Sequence, residues 1–172
     1  SSGRGKTLNT CGLLQALMER GVKTASFKCG PDYIDPMFHS RVIGTKSRNL
    51  DTFFTESEVT RYLLASTAKE GVMGFYDGVA GTTTRASAYD LAKVTDTPVI
   101  LIVNSRGMSV SLAAYVRGFM EYRKDSHIRG VIFNQMSPML YPRMKKLLEE
   151  ELGVAVLGYV PKVEDCVIES RH

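Results

Sequence analysis

The chain has 172 residues, 44% of them hydrophobic, enough for a single well-buried core, and no apolar run is long enough to cross a bilayer. Twenty-two Lys and Arg against eighteen Asp and Glu give a net charge of +4, which suits anionic small molecules. No basic block is interleaved with aromatics, which argues against nucleic acid as a partner. Three scattered cysteines and three histidines without paired spacing point to a reducing cytoplasm and argue against a zinc site.

The chain opens on Ser1-Ser2-Gly3-Arg4-Gly5-Lys6-Thr7, a Gly-x-Gly-Lys-Thr run that leads into a helix. Glycines let successive backbone N–H groups curl inward around an anion, and a helix start adds the positive end of its dipole. These residues read as the back half of a phosphate-binding loop. Gly3, Arg4, Gly5 and Lys6 would hold nucleotide phosphates, and the Thr7 hydroxyl is the usual Mg²⁺ ligand. There is no initiator Met, so the strand that feeds such a loop is expected to be missing from the front.

Leu8, Cys11, Leu14 and Leu17 recur near helical period from Thr7 to Arg20, with Gly21 as the stop. A short strand is expected over Val22–Lys28. It runs into Cys29-Gly30-Pro31-Asp32-Tyr33-Ile34-Asp35-Pro36, where two prolines and a glycine forbid regular structure and two carboxylates stand three apart. Loops at the carboxyl ends of parallel strands bind ligands in α/β proteins, although an aspartate before a turn is also ordinary capping chemistry. Ser47-Arg48-Asn49-Leu50-Asp51 reads as a polar cluster ahead of a helix over Thr55–Lys69, whose Thr55 and Glu58 have capping-box form.

Glu70-Gly71-Val72-Met73-Gly74-Phe75-Tyr76-Asp77-Gly78 is a second glycine-punctuated acidic stretch, and the residues before Glu70 lack the apolar strand expected there. Arg85–Thr95 looks helical. Alternation is clearest thereafter, with buried strands at 98–103, 130–134 and 154–159 and helices at 109–122 and 138–152. The expected fold is a three-layer α/β sandwich, a mostly parallel central sheet with helices on both faces, forming a single domain over 1–172.

Taken together, four runs are similar to the ATP-dependent synthetase domain of the cobyrinic acid a,c-diamide synthase family: Ser2–Thr7, Phe27–Pro36, Ser47–Asp51 and Glu70–Gly78. The tail, Leu157-Gly158-Tyr159-Val160-Pro161 and then Glu169-Ser170-Arg171-His172, also fits. The chain departs from the family in a shorter segment before Glu70 and in Asn104, where many members carry Asp.

The resemblance implies amidation of acetate carboxylates on a corrin ring, using ATP and Mg²⁺. Glutamine supplies the nitrogen through a C-terminal glutaminase domain that lies outside these residues. It implies Asp32 and Glu70 beside Thr7 in the metal shell. Asp35, Tyr33 and Asp77 fall on the substrate or ammonia side, with Arg48 clamping a substrate carboxylate. Asn134, at a strand end, would read the base or simply cap the strand, and Ser105 and Ser109 would line the substrate edge. Hydrogenobyrinate and a nickel-sirohydrochlorin remain alternative substrates, and a homodimer stays open. A partition- or septum-type nucleotide switch is the competing class, but Ser1 stands where that class carries a second lysine. Dethiobiotin synthetase shares the carboxylate-phosphorylating logic but not Gly30–Pro36.

Overall fold

The computed structural model describes residues 4–29, 40–41, 44, 46–50, 70–71, 75–78 and 81–163, with backbone alone for 4–8, 25, 28, 29, 48, 50, 70 and 71. The expected helix over Thr55–Lys69 and the residues Gly3, Asp32, Tyr33 and Asp35 lie outside the described residues. The chain divides into two compact units, Ser1–Thr97 and Pro98–His172.

In the first unit, helix α1 runs Arg4–Glu19, starting inside the glycine-lysine-threonine run itself. Its end is where the sequence places it. Gly21 takes a left-handed φ of 76°, its N–H donates to Met18 O, and the N–H of Val22 reaches back to Leu17 O. That pair of bonds is a Schellman stop, which satisfies carbonyls the last turn would leave bare. Leu14 is buried while neighbouring Leu13 is half exposed, as a one-sided helix requires.

Strand β1 (Ala25–Cys29) is the middle of a three-stranded parallel sheet, between β2 (Lys46–Leu50) and β3 (Glu70–Gly71). Consecutive residues Ser26 and Phe27 are both buried, so both faces of β1 are covered. Strand β2 corrects the reading of Ser47–Asp51 as a polar cluster before a helix. Its polarity hides the strand, because a hydroxyl inside a sheet must find a partner and Ser47 has one. Ser26 and Ser47 are register partners, and Ser26 Oγ donates to Ser47 Oγ over 2.9 Å. The residues just before Glu70 lie outside the described residues, while Glu70–Gly71 forms a short strand paired with Lys28 and Cys29.

Helix α2 (Ala88–Thr95) starts three residues later than the sequence suggests, because Ser87 caps it. The Ser87 hydroxyl accepts from Asp90 N at 3.1 Å, and Asp90 Oδ2 accepts from Ala86 N, one residue before the cap, at 2.9 Å, a variant of the capping box in which the acid reaches past the cap residue. Tyr89 packs in an aromatic cluster with Phe75 and Tyr76.

The second unit alternates without interruption: β4 (Val99–Asn104), α3 (Val110–Tyr122), β5 (Ile128–Asn134), α4 (Tyr141–Leu152) and β6 (Ala155–Val160). The strands are parallel, in the order β4-β5-β6. Leu101, Val103, Val131, Phe133 and Val156 are buried, as are Leu112, Ala113 and Val116 of α3 and Met144 and Leu148 of α4. Ile100, expected inside a fully buried strand, is 48% exposed. Both crossover helices of this unit cover one face of its sheet, so alternate residues of β4 face away from them. Gly153, at φ 62°, ends α4. Lys145 Nζ donates to Val156 O and Glu149 Oε1 accepts from Val156 N, both at 3.0 Å, tying α4 to β6.

Candidate active site

Helix α1 begins at Arg4, so Arg4, Gly5, Lys6 and Thr7 are its first four residues. Their N–H groups have no acceptor within the helix. Four free donors at the positive end of a 16-residue helix, with Lys6 and Thr7 in the same turn, fit a polyphosphate. Thr7, Asp32 and Glu70 are hard oxygen donors of the kind Mg²⁺ takes, two carboxylates and a hydroxyl with room left for water.

The sheet of the first unit fixes part of this set. Parallel register aligns Lys28 with both Asn49 and Glu70, and Cys29 with both Leu50 and Gly71. The three strands therefore end level, and Glu70 of β3 stands beside the carboxyl end of β1, whose sequence continues into Asp32, Tyr33 and Asp35. Arg48, paired with Phe27, lies one residue before that row on the opposite flank of β1. Asn49 stands in the sequence only as one member of a polar run, yet its Oδ1 is, among the described residues, a buried side-chain oxygen with no hydrogen-bond partner. An acceptor of this kind near a strand end has room for a donor from outside the described residues. A polar residue in a polar strand carries no sequence signal of that kind.

Asp77 is exposed, next to Gly78, in the stretch that connects β3 to α2. In the second unit, the ends of β4 and β5 are joined at Asn104 and Asn134, which are register partners. Ser105 is 3% exposed, and both its N–H and its Oγ donate to Asn134 O at 2.8 Å. Its hydroxyl is thus spent inside the strand junction. Asn104 Oδ1 accepts from Arg106 N at 3.1 Å, closing the turn that follows. Asn134 is buried, and Gln135 after it takes a left-handed φ of 60°. Ser109 is exposed at the N-cap of α3 and makes no capping bond with its side chain.

The chain is similar in sequence to known proteins. The chain is 42% identical over 180 aligned positions to the cobyrinate a,c-diamide synthase of Thermoplasma volcanium, a match that takes in 100% of this chain and 39% of that relative. The enzyme of the same name from Saccharolobus solfataricus is 43% identical over 179 positions, 99% of this chain and 40% of the relative. That of Priestia megaterium is 38% identical over 179, with 99% and 39% covered. The chain thus spans about two fifths of the length of the curated relatives it matches. An alignment of 180 positions for 172 residues also means that the Thermoplasma protein carries residues this chain lacks. The Gly-x-Gly-Lys-Thr run that opens the chain and the parallel strands that follow it fall within one match, residues 1–171 to the model of the CobQ/CobB/MinD/ParA nucleotide binding domain, and the chain belongs to that family.

Proposed function

We propose that this domain catalyses the ATP- and Mg²⁺-dependent amidation of the a and c acetate carboxylates of cobyrinic acid, with ammonia drawn from glutamine by a C-terminal glutaminase domain. The observation that carries this reading is identity of 38–43% to relatives named cobyrinate a,c-diamide synthase along essentially the whole chain. Such a reaction would place the domain in cobalamin synthesis and in the cytoplasm.

A carboxylate resists ammonia because its oxygen is a poor leaving group. A substrate carboxylate oxygen attacks the γ-phosphorus of ATP and ADP departs, leaving an acyl phosphate. Ammonia then adds to the carbonyl carbon, inorganic phosphate leaves, and the nitrogen loses a proton to give the amide. Little of this needs covalent help from the protein, whose work is placement and charge neutralisation. Gly3, Arg4, Gly5 and Lys6 hold the phosphates. Thr7, Asp32 and Glu70 would hold Mg²⁺, which when bound would supply positive charge against the charge that builds on the departing ADP. Arg48 holds a substrate carboxylate in a two-pronged bond. Tyr33, Asp35 and Asp77 position the acetate or the incoming ammonia, a carboxylate there being tolerable only with a cation or ammonium between it and the anionic substrate. Asn134 meets the base, Ser109 offers an uncommitted hydroxyl to the substrate edge, and Ser105 serves from inside by holding the Asn134 turn.

The domain incubated with ATP, Mg²⁺, ammonia and cobyrinate should gain one amide and then a second, read by mass. Lys6→Ala should abolish the gain and leave the circular dichroism unchanged. Hydrogenobyrinate and nickel-sirohydrochlorin in parallel tubes identify the preferred macrocycle. ATP turnover with no amide on any of the three would favour a nucleotide switch of the partition or septum kind.

A further inference from the structure

Asp77 is exposed, yet the residues on either side of it are pinned. Phe75, 9% exposed, accepts a bond at 3.0 Å from Tyr89 N in the first turn of α2. The Phe75, Tyr76 and Tyr89 rings close around that bond, with centroids 4.7, 5.2 and 6.1 Å apart. On the other side, Gly78 N donates to Thr83 O at 2.9 Å and Gly78 O accepts from Gly81 N at 3.1 Å. Arg85 N donates to Thr83 Oγ1 at 3.2 Å, and Ala86 N is held by Asp90 of α2. The chain therefore leaves Asp77, turns, and recrosses Gly78 at backbone contact.

No side chain fits at that crossing. A Cβ on Gly78 would overlap the Arg85 carbonyl oxygen and lie 2.5 Å from Thr83 O and 2.9 Å from the Arg85 carbonyl carbon. All three are backbone atoms of a segment anchored to α2, so none can swing aside as a flexible side chain would. The requirement for glycine is steric, since Gly78 is absent from the positive-φ glycines.

We propose that Gly78 is a positioning residue for the amidation: the crossing allowed by its missing side chain fixes where the Asp77 carboxylate stands. This rests on the reading of Asp77 as a group that handles the substrate or ammonia. With its backbone set by the crossing, Asp77 has only its own side-chain torsions left to order when the substrate arrives.

The test is a double-mutant cycle in the full chain with ATP, Mg²⁺, ammonia and cobyrinate. Gly78→Ala should lower kcat on the order of 100-fold, the effect of an ångström-scale misplacement, and leave the KM for ATP within about twofold. In an Asp77→Asn background the same change should cost less than about threefold, because the group it positions is already gone. Thr83→Ala, which removes the acceptor of the Arg85 N–H without a clash, should lower kcat several-fold, again only with Asp77 present, and covers the case of Gly78→Ala failing to fold. Gly153→Ala is the strained control. Gly153 has a φ of +62° and open space around it at the end of α4, so this variant should lose stability and keep kcat.

Multiplying effects of Asp77→Asn and Gly78→Ala, or of Asp77→Asn and Thr83→Ala, would overturn the positioning role alone. So would a kcat for both Gly78→Ala and Thr83→Ala no lower than that of Gly153→Ala. Asp77→Asn at wild-type kcat would overturn the reading of Asp77, and the positioning role with it.

Discussion

Removing the Ser105 hydroxyl measures how the junction of β4 and β5 is held. In Ser105→Ala the Asn134 carbonyl loses the bond from Oγ but keeps the one from the Ser105 N–H, both 2.8 Å in the parent. No acceptor is orphaned and no donor is left buried. The loss is then the net worth of one hydrogen bond, about 1 kcal/mol, and not the larger penalty of an unsatisfied group. At a urea slope of about 1–3 kcal/mol/M this lowers the unfolding midpoint by roughly 0.3–1 M, with the slope itself unchanged. Ser109→Ala is the internal control. It truncates an exposed serine that makes no capping bond, so its effect should stay within about 0.5 kcal/mol. Equal losses in the two variants, or a Ser105→Ala midpoint identical to the parent, would refute the reasoning. Ser105→Ala should also leave the KM for ATP unchanged, since the hydroxyl faces a backbone carbonyl. A marked rise would mean that it reaches the ligand instead.

Two further outcomes follow from packing and capping. Ser87→Ala removes the cap of α2 at a residue 1% exposed, and should cost about 1 kcal/mol, up to 2, with faster hydrogen exchange at the Asp90 amide. Leu148→Ala, at a side chain 0% exposed between α4 and the sheet of the second unit, should cost about 2–5 kcal/mol by urea unfolding, the upper end if the cavity does not collapse.

The residues differ in how openly they state their roles. Gly21 and Gly153 end helices for a local reason, left-handed backbone, and local reasons can be read in a sequence. The runs at 99–104 and 128–134 are strands because a β-branched, apolar stretch of that length between helices has few other uses. Ser47 and Asn49 gave the opposite impression, since a polar residue in a strand makes sense only once its partner is known. For Ser47 the partner is Ser26, twenty-one residues earlier. For Asn49 Oδ1 no partner exists among the described residues. Glu70 was singled out for its charge, but its place beside Lys28 is a matter of register.

The sequence by itself determined the Gly-x-Gly-Lys-Thr run at a helix start, the alternation of strand and helix, and the acidic runs that resemble this family, because each depends on neighbours within a few residues. Tertiary structure alone decided that Lys46–Leu50 is a strand, that Ser105 spends its hydroxyl on Asn134, and that Gly78 must lack a side chain. Those three facts depend on atoms that distant or returning chain brings into contact, and no local pattern encodes such a meeting.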